Sequence, residues 1–383
     1  MAKPQGQPHG GAQVAVYWAV MLAMLLVLIE ALGFSAGFLA NDLFDQRDEA
    51  FARLAERKMT GKQNADPVLG WEPIPSSEFV EPDCLGDEIV YQSAADGARN
   101  YPGYDPAAAT VIVAGDSYAF GSEVPDPQAF PAVLAGLLGE PVANLGVGGY
   151  GPVQALLRLE RHIDRYPGAR AVVLGVMYEN VHRMVNSYRP VLYDKTDVLA
   201  FTPYMHDGNL QPYPSADILQ SEDTLRRQMT IAFDQDFWAR PQHRFPYTRS
   251  LLRGFSSNYF LLRKVQKSLR KVGRPEYAMT FASADIQENL FSLLDRFAQV
   301  AEARELLGIV LFMPRNRLDT QSVQTLLTEQ QSRLPPGLLV LDVAGADIDW
   351  ARYNLENKAE DNICHPSEYG YTEIARHLAA ALR

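Results

Sequence analysis

Four segments of the chain gather the residue types that acyl transfer needs. The first is Gly115-Asp116-Ser117-Tyr118, which follows the apolar run Val111-Ile112-Val113-Ala114. A serine in a tight glycine turn at the carboxyl end of a parallel strand stands where such sheets bind ligands. The second, Asn144-Leu145-Gly146-Val147-Gly148-Gly149-Tyr150-Gly151, exposes backbone N–H groups just before a helix. The third is Tyr178-Glu179-Asn180, and the fourth is Asp361-Asn362-Ile363-Cys364-His365-Pro366, directly before the last helix. A serine nucleophile requires a base, a group that orients the base, and donors for the oxyanion. Candidates for all of these are present. Alone, Gly-Asp-Ser is a weak signal, and Ser117 read by itself is a helix cap. It is not the G-x-S-x-G elbow, because Ala119 stands at the second glycine position.

The elements around these segments alternate. Short apolar strands are expected at Thr110–Ala114, Pro141–Asn144, Ala171–Val176, Ile309–Met313 and Leu338–Asp342. Helices are expected at Ala129–Leu138, Val153–Arg165, Ile286–Leu306, Gln321–Ser332 and Tyr371–Leu382. Alternating βα units with continuously apolar strands predict an α/β fold, a five-stranded parallel sheet covered on both faces. Ahead of it, Asp66–Pro106 is rich in Pro, Gly and Asp and reads as irregular structure with short strands. Between the third and fourth strands lies an aromatic-rich insertion, residues 186–284. There Leu261, Val265, Leu269 and Val272 share one helical face among Arg263, Lys264, Lys267, Arg270 and Lys271. That basic amphipathic helix either packs on the sheet or meets an anionic surface, lipid or polysaccharide.

At these residues the chain resembles the SGNH (GDSL-type) hydrolase family, from about Leu69 to Arg383 with the insertion interrupting the match. The resemblance implies a three-layer flavodoxin-like fold and a serine ester hydrolase. Ser117 would be the nucleophile and His365 the general base. The Ser117 amide, Gly149 and Asn180 would form the oxyanion hole. Ala95-Asp96-Gly97-Ala98-Arg99 is similar to the asparagine-glycine-arginine lead-in of membrane-anchored members. Two positions depart from the pattern. Val181 replaces the aspartate that usually follows the third-block asparagine. Asn362 stands where the usual acid would be, three before His365, so Asp361 is the expected orienter, with Asn362 or a two-member dyad as alternatives. The implied substrates are O-acyl esters, O-acetyl above all, of cell-surface or exported polysaccharide. An O-acyltransferase on the same acyl-enzyme and a catalytically weak polysaccharide-binding scaffold are the rival readings.

The N-terminus adds a membrane. Val14–Ile29 is wholly apolar and, past Glu30, the run continues to Ala40, long enough for a single-pass anchor over residues 1–40. A cleaved signal peptide is the alternative. Residues 41–66 follow as a charged stalk, helical over Asn41–Lys62, and residues 67–383 as the hydrolase-like domain. Arg47, Arg53, Arg57 and Lys58 on the domain side would place it in the cytoplasm by the cation rule. The family habit is extracytoplasmic, and that is the expectation adopted. Among 383 residues, 35 cations against 46 acids give a net charge of −11, which argues against nucleic-acid binding. Two cysteines exclude a four-cysteine zinc site, and the seven histidines show no ligand spacing, so no metal or cofactor is expected. Cys84 and Cys364 can still pair in an oxidising compartment. The run Gly146–Gly151 also fits a dinucleotide fingerprint, but Glu179 comes too late after it for that reading. His182 and Arg183, after Asn180, read as surface residues or substrate contacts, and His162 as structural.

Overall fold

The computed structural model describes residues 10–39, 63–189, 201–212, 244–256, 259–273, 277–343, 348–357 and 362–383, with short stretches or single positions between 192 and 238. Five parallel strands form the central sheet: β1 (Val111–Ala114), β2 (Val142–Asn144), β3 (Ala171–Met177), β4 (Leu307–Met313) and β5 (Leu339–Asp342). Their spatial order is β2-β1-β3-β4-β5, the flavodoxin-like arrangement with a switch point between β1 and β3. In register, Val111 lies opposite Val142 on one side and Ala171 on the other, and Val173 lies opposite Ile309. Each expected strand is present within two residues of its sequence bounds.

Period-two alternation splits the strand side chains between two cores. On one face Ile112, Val172, Leu174 and Val310 pack with α4 (Pro152–His162) and α7 (Ala284–Glu302). On the other, Val111, Val113, Val173 and Ile309 pack with α3 (Phe130–Leu138) and α9 (Glu368–Leu382). All seven β3 residues are buried, and truncating one, Leu174→Ala, costs roughly 2–5 kcal/mol. α8 (Thr320–Glu329) joins the first core through Val323 and Leu326.

Upstream, the Pro- and Gly-rich lead-in folds onto the strand ends. The strands Glu78–Pro82 and Glu88–Gln92 make an antiparallel hairpin. Trp71 is buried edge-on against Tyr150, and its indole N–H donates to the Gly148 carbonyl at 3.4 Å. The lead-in therefore supports the second glycine-rich segment. The apolar N-terminal stretch is one helix, α1 (Gly10–Leu39), of which Gln13–Gly37 is long and apolar enough to cross a membrane. The stalk Asn41–Lys62 and most of the insertion between 190 and 243 lie outside the described residues.

Candidate active site

β1 delivers Ser117 to the start of α2 (Ser117–Phe120), a single helical turn. Asp116 caps that turn, its Oδ1 accepting the Tyr118 N–H at 2.8 Å. The strand Asn362–Pro366, just before α9, delivers His365 from the other end of the chain. Its Nε2 lies 2.9 Å from Ser117 Oγ. Its Nδ1 lies 2.8 Å from Glu123 Oε1, and its backbone N–H donates to Glu123 Oε2 at 3.0 Å. A carboxylate can only accept, so Nδ1 carries the proton and the Nε2 lone pair faces the Ser117 hydroxyl. Burial pushes the Glu123 carboxyl up, but hydrogen bonds and charge from His365, with the Arg315 charge, outweigh it and leave its pKa below the ordinary value. Glu123 is therefore ionised at neutral pH. All three side chains are partly accessible.

Glu123 occupies the position beside Nδ1 that the sequence reading gave to Asp361, with Asn362 as the alternative. Asp361 itself, like the Asn362 side chain, lies outside the described residues. Glu123 reaches the imidazole because the chain reverses just after Ser117. Gly121 closes α2 in the left-handed region, φ 85°, and a side chain there would fall on Ala129 and Arg99. Glu123 itself sits at φ 68°, a conformation that costs a non-glycine residue about 1–3 kcal/mol and persists only where its surroundings impose it. The Glu123 N–H donates to Tyr91 Oη at 2.9 Å, and Tyr371 Oη donates to the Ser122 carbonyl at 3.0 Å.

Arg99, the lead-in arginine, sits beneath the same loop. It is almost wholly buried, pairs through Nε with Asp126 Oδ1 at 2.7 Å, and donates to the Phe120 and Val124 carbonyls at 2.7 Å and to the Gly121 carbonyl. Its guanidinium also lies over the Tyr91 and Phe120 rings. One planar fork thus ties together residues 120–126, the segment that carries Glu123.

Of the remaining expected site residues, Asn180 adjoins the serine turn. Asn180, at the end of β3, is buried, and its Nδ2 donates to Asp116 Oδ2 at 2.6 Å. The second Nδ2 proton is not used by Asp116. The Asp116 carboxyl is fully enclosed, and burial raises its pKa despite the hydrogen bonds it accepts from Asn180, Tyr118 and Met177 and the Arg183 charge. Gly146 leaves room for the helical turn, since a Cβ there would strike the Ala119 and Phe120 backbone. The Val147 N–H donates to the Gly115 carbonyl at 3.2 Å. Gly149, in the same loop, has φ 83° and stands near the Trp71 ring. His182 is buried and bonded to Thr280 Oγ1 at 2.6 Å, and burial drives its pKa down to about 3, so it is a neutral core residue and not a surface one. His162 pairs with Glu72 as a structural group. The hollow of about 510 Å³ lined by Ser76, Ser93 and Tyr104 contains none of Ser117, Glu123 and His365.

Cys84 and Cys364 form a disulfide with Cα atoms 6.1 Å apart. It joins the hairpin turn to the residue before His365, and its sulfurs lie within 4.8 Å of the Glu123 carboxylate. The thiols are consumed by the bridge, so this cluster offers no thiolate to a metal. Closing so long a loop stabilises the domain by about 5–6 kcal/mol in the chain-entropy account. The paired Cys84→Ser/Cys364→Ser variant is expected to melt about 5–10 °C lower, read by near-UV circular dichroism.

Next to Asn180 lies a buried ion cluster. Glu179 meets Arg315 at 3.1 Å and Arg263 at 3.4 Å and accepts from Tyr277 Oη at 3.0 Å. Burial opposes its charge, but Arg263, Arg315, Arg183 and His182 hold its pKa down at about 2. Arg263 thus faces inward. Because the folded value lies below the ordinary carboxylate value, this stabilisation is full above about pH 4.5 and is lost as pH falls toward about 2. Glu179→Gln is expected to cost about 3–5 kcal/mol at neutral pH by stranding two arginines. In urea titrations its deficit against wild type should shrink as pH falls through that window.

No protein-family model matches the chain, and no curated protein matches it. Solved structures similar to it include one named as a lipolytic protein of the G-D-S-L family from Desulfitobacterium hafniense, at 14% identity and TM-score 0.32, over 71% of this chain and 98% of that one. Another is the salicylyl-acyltransferase SsfX3 from a tetracycline biosynthetic pathway, at 11% identity and TM-score 0.31, over 85% of this chain and 76% of that one. Both likenesses are distant.

Proposed function

We propose that the chain is a serine-dependent acyl-ester hydrolase of SGNH type that works through an acyl-enzyme on Ser117. The observation that carries this reading is the continuous relay Ser117 Oγ–His365 Nε2 and His365 Nδ1–Glu123, with both hydrogen bonds under 3 Å. Ser117 Oγ attacks the acyl carbonyl as His365 Nε2 takes its proton. Glu123 stabilises the imidazolium and holds its tautomer. The Ser117 amide, Gly149 and the unused Asn180 N–H are assigned to the oxyanion, with Asp116 fixing the Asn180 amide. Collapse breaks the ester C–O bond, and the leaving alkoxide takes the His365 proton. Water then attacks the acyl-enzyme by the reverse sequence, returning the proton to Ser117 and releasing the acid.

The formed relay speaks against the weak-scaffold alternative, because Glu123 supplies the acid that Asn362 and Val181 left in question. A sugar hydroxyl replacing water would make the same intermediate an O-acyltransferase. The Cys84–Cys364 bridge supports an oxidising compartment, hence an extracytoplasmic domain on an N-terminal anchor. O-acetyl groups of cell-surface or exported polysaccharide are the substrates this placement and the resemblance favour.

The test is turnover of p-nitrophenyl acetate and butyrate by the full chain in detergent, beside Ser117→Ala and His365→Ala. Acetate turnover abolished in both variants is expected. Turnover that survives Ser117→Ala, or none from folded wild type, would contradict the reading. Adding a sugar acceptor separates the two chemistries, since a transferase yields acylated sugar at the expense of free acetate.

A further inference from the structure

The basic amphipathic helix of the insertion, α6 (Tyr259–Lys271), packs Leu262 against the first core but also turns polar side chains inward. Two of its polar residues point inward: Gln266 is fully buried and donates to Thr280 Oγ1, and Arg263 reaches Glu179. Val265 and Val272 are exposed instead, at 41% and 72%, alongside exposed Lys264, Lys267 and Lys271. The Arg270 side chain lies outside the described set. An outward valine stripe edged by lysines is the pattern of a helix lying in a lipid interface.

The preceding helix, α5 (Tyr247–Ser256), links that face to α1. Glu30, a carboxylate inside the apolar span, accepts the Tyr247 N–H at 2.5 Å and the Thr248 N–H at 3.4 Å, so it caps the positive end of α5. Thr248 Oγ1 donates to the Ile29 carbonyl, and the Phe34 ring meets Tyr247 edge-on. Gly33 permits this approach, since a Cβ there would stand 2.8 Å from the Thr248 backbone nitrogen. Glu30 lies seven residues before the end of the Gln13–Gly37 span, about 10 Å deep in a helix rising 1.5 Å per residue. Interfacial helices bury their apolar faces to about 5–10 Å. Beyond that contact α5 exposes Leu252 and Phe255, three residues apart on one face, with exposed Arg249 and Arg253 beside them.

We propose that α5 and the outer face of α6 lie in the headgroup region of an anionic phospholipid membrane, seated there by α1. Helix α1 is then a retained part of the fold, held by the α5 cap. The inner face of α6 touches Glu179, next to Asn180, so the lipid-facing helix also borders the candidate active site.

The full chain in nanodiscs tests this, with one cysteine introduced at Leu252, Val265 or Val272 and labelled with a fluorophore under non-reducing conditions. In discs of phosphatidylcholine with phosphatidylglycerol, doxyl-lipid is expected to quench all three probes, while a probe at exposed Ala380 on α9 stays unquenched. Omitting phosphatidylglycerol, or substituting Lys264→Gln/Lys267→Gln/Lys271→Gln, should weaken quenching at Val265 and Val272 by about tenfold. Gly33→Leu should reduce quenching at Leu252 with the near-UV circular dichroism unchanged. Unquenched probes in folded protein would overturn the seat. Equal quenching without the anionic lipid would overturn its charge selection, and indifference to Gly33→Leu would overturn the role of α1.

Discussion

Glutamine at position 123 is expected to lower kcat for p-nitrophenyl acetate by about 10³–10⁴-fold, the scale seen when the orienting acid of a serine triad becomes its amide. The amide keeps the volume and one acceptor of Glu123 but loses the charge facing His365 Nδ1. Its NH₂ group favours the wrong imidazole tautomer, with the proton on Nε2 and the lone pair turned from Ser117. The imidazolium formed during attack also loses its counter-charge. KM should change little, since Glu123 touches the base and not the acyl group. Asp361→Asn, by contrast, should leave kcat within about twofold, since Glu123 already occupies the position beside His365 Nδ1. The reverse pattern would return the acid to Asp361 and reduce Glu123 to a structural partner of His365.

Arg99→Met is expected to destabilise the domain by about 3–5 kcal/mol, because it leaves the half-buried Asp126 carboxylate without its cation, held only by the Gln92 N–H. It also strips hydrogen bonds from the carbonyls of Phe120, Gly121 and Val124. Methionine retains most of the packing against Tyr91 and Phe120, so the loss reports the lost donors and charge. Arg99→Lys keeps the charge but not the fork, and should recover only part of the stability. Urea denaturation measures both. In variants that remain folded, turnover should fall further than the fraction unfolded explains, since the loop that holds Glu123 at φ 68° has lost its tie. A loss of less than about 1 kcal/mol on Arg99→Met would show that the neighbouring packing alone holds residues 120–126.

The parallel sheet was readable because its signal is local: runs such as Ala171–Met177 are apolar at every position, as strands buried on both faces must be. Ser117 and His365 were readable for a related reason, each standing in a short motif beside a predicted element. Glu123 carries no such mark. Its approach to His365 depends on the left-handed turn at Gly121, on its own positive φ and on Arg99 from the lead-in, none of which a linear motif encodes. Helix α6 shows a different limit. Its apolar stripe was visible in the spacing of Val265 and Val272, but spacing does not say which side the core lies on. The buried partners of Gln266 and Arg263 decide that, and they reside at Thr280 and Glu179. The Cys84–Cys364 pairing was an open possibility, because two cysteines 280 residues apart reveal nothing of their distance in space.

The most direct measurement is to react the folded full-length protein with a fluorophosphonate and map the adduct by peptide mass spectrometry. Phosphonylation requires an activated serine with its base aligned. The account predicts a single adduct on the peptide containing Ser117, abolished by His365→Ala and strongly slowed by Glu123→Gln. An unlabelled folded protein, or an adduct on another serine, would contradict it.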